Sequence, residues 1–262
     1  MIGYKKQNFQ NIYRLFYEYR LWCFGYIIGI FFVLFLSSAY YAEIILKSGI
    51  PCSMADIYIG SCDLFLWTYA ILPADIILFL FWSRDDLLAQ PVLLRGSKLK
   101  IYVDLVKKII EIAFIQTILM NIMLVLPGCL FSTEFCNFNS SASAFYLATK
   151  QTVEVANWII VVYFSCIIFI RTTFMLCIGN LMRWCLKQEV FSTILCVCIG
   201  TIESVDAKCQ LFFGYLTYSY ESFASINNIQ KSILYMLIFT IVFVVISGIA
   251  IKRKEFYYEQ PI

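Results

Sequence analysis

A chain of 262 residues that is 61% hydrophobic and only 14% charged is too apolar for water, since a soluble domain carries about a quarter charged residues. Histidine is absent, which removes His-dependent zinc proteases, His general bases and haem ligation by His. The net charge of +3 decides nothing by itself, and the length leaves no room for a soluble domain once the apolar stretches are placed.

In chain order, residues 5–20 come first. Phe9, Ile12, Tyr13, Phe16 and Tyr19 recur on one helical face, with Gln7, Asn11, Arg14 and Glu18 opposite. This pattern predicts an amphipathic helix lying in the inner membrane interface. The first span follows over 21–46. It lacks a small-residue cleavage site and reads as a permanent helix rather than a signal peptide. A second span over 57–83 contains Asp63 and Asp75.

The polar segment 84–100 comes next, broken by Pro91 and Gly96. Leu87, Leu88, Val92, Leu93 and Leu94 are too apolar for an inert linker. They either lie on lipid or dock a cytoplasmic partner. The third span is predicted over 102–131, and an outer loop over 132–154 carries the acceptor pattern Asn139–Ser140–Ser141. The fourth span, 155–183, contains Arg171. The fifth, 190–210, opens on a charge-free run of only 13 residues, Val190–Ile202, too short to cross comfortably. The apolar stretch Leu211–Tyr220 after it suggests re-entrant or interfacial helices on the outer side. The last span, 231–251, stops at Lys252-Arg253-Lys254.

The expected fold is therefore all-α and polytopic, one transmembrane domain over 1–262. It has six transmembrane helices, an N-terminal interfacial helix and an outer re-entrant hairpin before the last span. Backbone groups in hydrocarbon must bond within their own segment, so long continuous apolar runs mean helices rather than a barrel. Of the 20 basic residues, only Lys47, Lys150, Lys208 and Lys231 fall on the connections assigned outside, and Arg171 falls within a span. Retention of Lys and Arg inside then places both termini in the cytoplasm of a plasma-membrane protein.

Eleven cysteines are present. Those inside the spans act as small hydrophobes. Cys52 with Cys62, and Cys129 with Cys136, fall on the outer side at spacings open to disulfides. No G-x-x-x-x-G-K-[ST], G-x-S-x-G or Cys/His pair occurs. No catalytic residue, metal site, nucleic-acid partner or cofactor of its own is expected.

Asp75 and Arg171 are the two charges deepest in the membrane. Counted from Arg84 and Arg183, they lie at roughly 14 and 18 Å from the inner edge, at about 1.5 Å per residue. Similar depth and opposite sign predict an ion pair, within the chain or across a dimer. The alternative is that each faces a polar cavity separately.

The amphipathic lead Lys5–Arg20, the polar inner segment around Arg95-Gly96-Ser97-Lys98, the short fifth span and the basic tail Lys252–Phe256 together resemble the transmembrane subunit of a bacterial type-2 (ABC-2) ABC exporter. The small permeases of Gram-positive peptide-antibiotic export and immunity systems are the nearest in size. The resemblance implies that Leu87–Leu94, with Arg95, is a coupling helix on a separate ATP-binding subunit, which would hold ATP and Mg. It also implies an outer hairpin within about 203–230 and a second permease, the same or a related chain. The expected function is ATP-driven export of an amphipathic peptide or lipid-like substrate. The alternative from the residues alone is a self-sufficient channel, secondary carrier or membrane scaffold.

Overall fold

The computed structural model describes residues 20–83, 97–185, 189–205 and 218–253. The expected interfacial helix and nearly all of the segment 84–100 lie outside these residues. Among the described residues there are helices and one isolated β-bridge, Ser53 with Glu134, and no strand.

Nine helices are described. α1 is Arg20–Lys47, α2 Met54–Ser61, α3 Leu64–Ser83, α4 Lys98–Phe131 and α5 Ala144–Thr149. α6 is Asn157–Cys185, α7 Glu189–Val205, α8 Tyr220–Ala224 and α9 Ile226–Arg253. Five of them, α1, α3, α4, α6 and α9, are long and apolar enough to cross a membrane. The sixth expected span, α7, has 17 described residues. At about 1.5 Å per residue it is about 25 Å long, short of a roughly 30 Å core. The chain is thus a membrane-embedded multi-pass helical protein with five full spans among the described residues.

The short helices α2, α5 and α8 gather at one end of the bundle, here the cap end. The opposite, basic end carries Arg20, Lys98, Lys100, Lys107, Lys108, Arg183, Lys252 and Arg253.

The expected second span over 57–83 is two helices. The apolar run is continuous because α2 is buried in the cap, not because it spans. Ser53 starts α2 with a reciprocal capping box to Asp56, and the chain turns at Cys62 and Asp63 before α3 begins. Two further first-turn donors of α2 are met by the loop after α4: Met54 N–H bonds the Glu134 carbonyl and Ala55 N–H that of Phe135, at 2.9 and 3.0 Å. Loop and helix therefore fold as one unit.

α6 is the centre of the bundle. It packs on α3, α4, α7 and α9, and its most apolar stretch is 67% buried, against 22% for α1 and 17% for α9. Its sequence suits that place, because Thr172, Thr173, Gly179 and Asn180 let neighbours approach closely. α1 and α9 instead turn wide apolar faces outward, including Phe24, Phe32 and Leu36 on α1 and Ile241 and Val245 on α9.

Candidate functional site

Three polar arrangements sit where an apolar chain can least tolerate them. The first surrounds Arg171, which is fully buried on α6. Its guanidinium donates from Nη1 to the Cys62 carbonyl at 3.1 Å and lies over the Trp67 ring, 4.9 Å from the centroid. Asp63 and Glu203 supply the negative charge near it, and Glu203 is itself 3% exposed. A charge at the bilayer centre costs at least about 2.5–3.5 kcal/mol on insertion scales, so a carbonyl, an aromatic face and two carboxylates are the company it needs.

Trp67 opens a π-helical turn, Trp67–Ile71, within α3. Such turns widen a helix by one residue and recur at functional sites. α7 packs against this turn at Gly200. A Cβ there would stand 2.8 Å from Thr68, so only glycine permits the approach.

The second arrangement lies deeper, between α1, α3 and α4. The Tyr26 hydroxyl bonds Asp75 Oδ1, and it lies 2.6 Å from Gln116 Oε1. Asp75 and Gln116 are each 1% exposed. Asp75 Oδ2 and Gln116 Nε2 are buried without a hydrogen-bond partner among the described residues. Beside the group lies a cavity of about 40 Å³. Its walls are apolar except for Tyr26 and Gln116, and it extends toward Cys23 and Trp82 at the basic end.

The expected Asp75–Arg171 pair does not form within the chain. Arg183 Nη1 donates to Ser83 Oγ at 2.6 Å, so the basic ends of α3 and α6 are level. Helix side chains, however, lean toward the N-terminus, which for α6 is the cap end. Arg171 therefore reaches up to Cys62 and Trp67, while Asp75 turns to α1 and α4. Glu203, the acid that does accompany Arg171, directly follows the charge-free run Val190–Ile202 and so reads from sequence as a flanking charge rather than a buried one. Tyr26 and Gln116 carried no sequence signal beyond being polar within apolar runs.

The third arrangement is the cap. Asp56 Oδ2 accepts from Ser53 N–H and Oγ–H, each at 2.8 Å, and Oδ1 accepts from the Tyr220 hydroxyl at 2.8 Å. Burial raises the Asp56 carboxyl above its ordinary range, more than these donors lower it. Around it pack Phe138, Phe145, Tyr163, Tyr218 and Phe223, with Phe138 stacked on Phe145 at 4.6 Å. The described part of the expected hairpin, Tyr218–Ala224, is thus a tightly packed element of the cap.

Cys52, Cys62, Cys129 and Cys136 are free thiols. Cys52 and Cys62 flank α2, whose eight residues span about 12 Å, beyond the roughly 7 Å reach of a disulfide. Burial pushes the Cys52 thiol up to about 12, with the Asp56 charge adding to it, so it stays protonated and unreactive.

Leu87, Leu88, Val92, Leu93, Leu94 and Arg95 lie outside the described residues. Among the described residues no cluster of His, Cys, Asp or Glu is arranged to hold a metal. No family model, curated protein or solved structure matches the chain.

Proposed function

We propose that the chain is the transmembrane subunit of an ATP-driven exporter of an amphipathic peptide or lipid-like substrate, working with a separate ATPase and a second permease. One observation carries this reading. At the basic end α6 and α7 are joined by only three residues, 186–188, whereas α3 and α4 are joined by 84–97, which is leucine-rich. Of these two connections it is the one long and apolar enough to seat a partner. α3 and α4, which it joins, reach the cap end, so a push there would be felt at both ends of the bundle. The cytoplasm would lie at the basic end. An interior of Phe, Tyr, Ile and Leu suits an amphipathic cargo better than a hydrated ion.

The alternative, a self-sufficient carrier, draws on the buried Tyr26–Asp75–Gln116 group. The two readings part in one experiment. The purified chain should hydrolyse no ATP, and from its native membrane it should purify with a stoichiometric P-loop ATPase. Leu88→Glu and Leu93→Glu should each remove that ATPase and leave membrane insertion intact. Substrate or ion flux through liposomes holding this chain alone would sink the exporter reading.

A further inference from the structure

We propose that Tyr26, Asp75 and Gln116 form a proton-binding site in the membrane interior, with the Asp75 carboxyl carrying the proton in this conformation. This goes beyond the exporter reading and does not depend on it.

The argument is a count of hydrogens. The Tyr26 hydroxyl touches two oxygens, Asp75 Oδ1 and Gln116 Oε1, and has one proton to give. If it donates to Gln116, the other contact is satisfied only when Asp75 donates, which requires a carboxylic acid. The chain of donors then runs from Asp75 to Tyr26 to Gln116, and every contact has one proton. The competing arrangement turns the Gln116 amide over. Tyr26 would then donate to a carboxylate, and that carboxylate would keep one hydrogen bond while Oδ2 had none. A buried charge so poorly supported is the costlier state.

The surroundings agree. The charged groups on the packed elements face elsewhere: Arg171 bonds Cys62, Arg183 bonds Ser83, Lys108 donates to the Trp82 carbonyl at 3.0 Å, Lys107 pairs with Asp104, and Glu111 lies near Lys107 and Lys108. Glu203 accompanies Arg171, and Cys23 on α1 lies on the cavity wall. Tyr26 is the one titratable side chain bonded to Asp75 among the described residues. The cavity toward Cys23 and Trp82 exceeds the roughly 10–15 Å³ a water requires. A water in it would lie beside Tyr26 and Gln116, which line the cavity; Asp75 lies behind Tyr26. Unloading is then a relay: the Tyr26 O–H breaks and its proton passes to that water, while the Asp75 carboxyl proton moves to Tyr26, leaving a carboxylate, a restored hydroxyl and a hydronium ion.

The experiment is carboxyl-carbon NMR on purified chain, labelled with carboxyl-¹³C aspartate and held in lipid nanodiscs. At neutral pH one protonated aspartic acid should appear and should vanish in Asp75→Asn. Asp56 is the other deeply buried aspartate among the described residues, so the assignment rests on that difference. Tyr26→Phe should keep the acid and shift its signal, because the partner of its O–H is lost; it also serves if Asp75→Asn fails to fold. If every aspartate is ionised at neutral pH in the wild type, or if the acid signal survives Asp75→Asn, the proposal is overturned. No ATPase or substrate enters the measurement, so its failure leaves the exporter reading untouched.

Discussion

Replacing Arg171 by Met keeps the side chain's length and removes its charge. Three losses follow from the geometry. The charged hydrogen bond to the Cys62 carbonyl contributes about 1.5–3 kcal/mol. The cation–π contact with Trp67, in a desolvated setting, adds about 0.5–2 kcal/mol. Glu203, 3% exposed, loses the nearby positive charge of Arg171. Against these stands the desolvation of the guanidinium, which the substitution relieves. The net expected loss is about 3–5 kcal/mol, as for removing one partner of a buried pair. For a domain of this size that is a fall of about 6–20 °C in Tm.

The assay is thermal unfolding in lipid nanodiscs at one fixed scan rate, because unfolding here need not be reversible. Glu203→Gln should cost less than Arg171→Met, and the double variant should fall short of the sum by about 1–3 kcal/mol. The exchanged pair Asp75→Arg/Arg171→Asp should be no better than its worse single member. A Tm change under about 2 °C for Arg171→Met, strict additivity with Glu203→Gln, or rescue by the exchanged pair would each refute this account of Arg171.

Gly200→Ala should cost about 1–3 kcal/mol, because its Cβ meets Thr68 at 2.8 Å; pairing it with Thr68→Ala should recover most of that, while Gly25→Ala, facing open space, should leave unfolding unchanged. Tyr220→Phe should cost about 1–3 kcal/mol through the lost bond to Asp56, read as faster proteolysis of the cap. The Asp56 carboxyl is raised in the folded state, so its contribution favours folding below the ordinary carboxylate range and is lost as pH rises through the raised value. Wild-type Tm should therefore fall relative to Asp56→Asn between acid and neutral pH, and parallel curves would dismiss this.

Hydrophobic run length made the spans readable. The third was expected over 102–131 and is Lys98–Phe131; the fourth was expected over 155–183 and is Asn157–Cys185. It failed at 57–63, because run length reports burial and not what does the burying. α2 is as apolar as a span, but its solvent is the aromatic cap. The polar centres were half legible. A charge inside an apolar run stands out, so Asp75 and Arg171 could be named. Their partners depend on which way each helix faces, and a carbonyl such as that of Cys62 leaves no trace in sequence. The cap itself was hidden for the same reason: Phe138, Phe145 and Phe223 lie far apart in the chain and meet only after it folds.

The polar contacts also divide the bundle by strength, which bears on what can move. α3 is fastened by charged groups at two levels: to α6 by Arg171 over Trp67 and by Arg183 at Ser83, and to α4 by Lys108 at the Trp82 carbonyl. α1 is held by the Tyr26 hydroxyl at Asp75, and α9 by the Tyr102 hydroxyl at the Val244 carbonyl and by its packing along α6, Phe243 against Phe174 included. Neutral bonds contribute about 0.5–1.5 kcal/mol each and charged ones about 1.5–3. α1 and α9 are also the least enclosed spans, at 22% and 17%. The span cheapest to displace is therefore α1; α9 is lightly enclosed but makes the most extensive helix contact of the bundle with α6, and it joins α3, α4 and α6 in the frame. Paired spin labels in lipid nanodiscs read this directly. The distance from α6 to α1 should be broadly distributed, and the α3-to-α6 and α6-to-α9 distances narrow. Removing the Tyr102 hydroxyl with Tyr102→Phe should broaden the α4-to-α9 distance. Equal widths for all three pairs would mean that lipid and packing, not these bonds, set the mobility of the bundle.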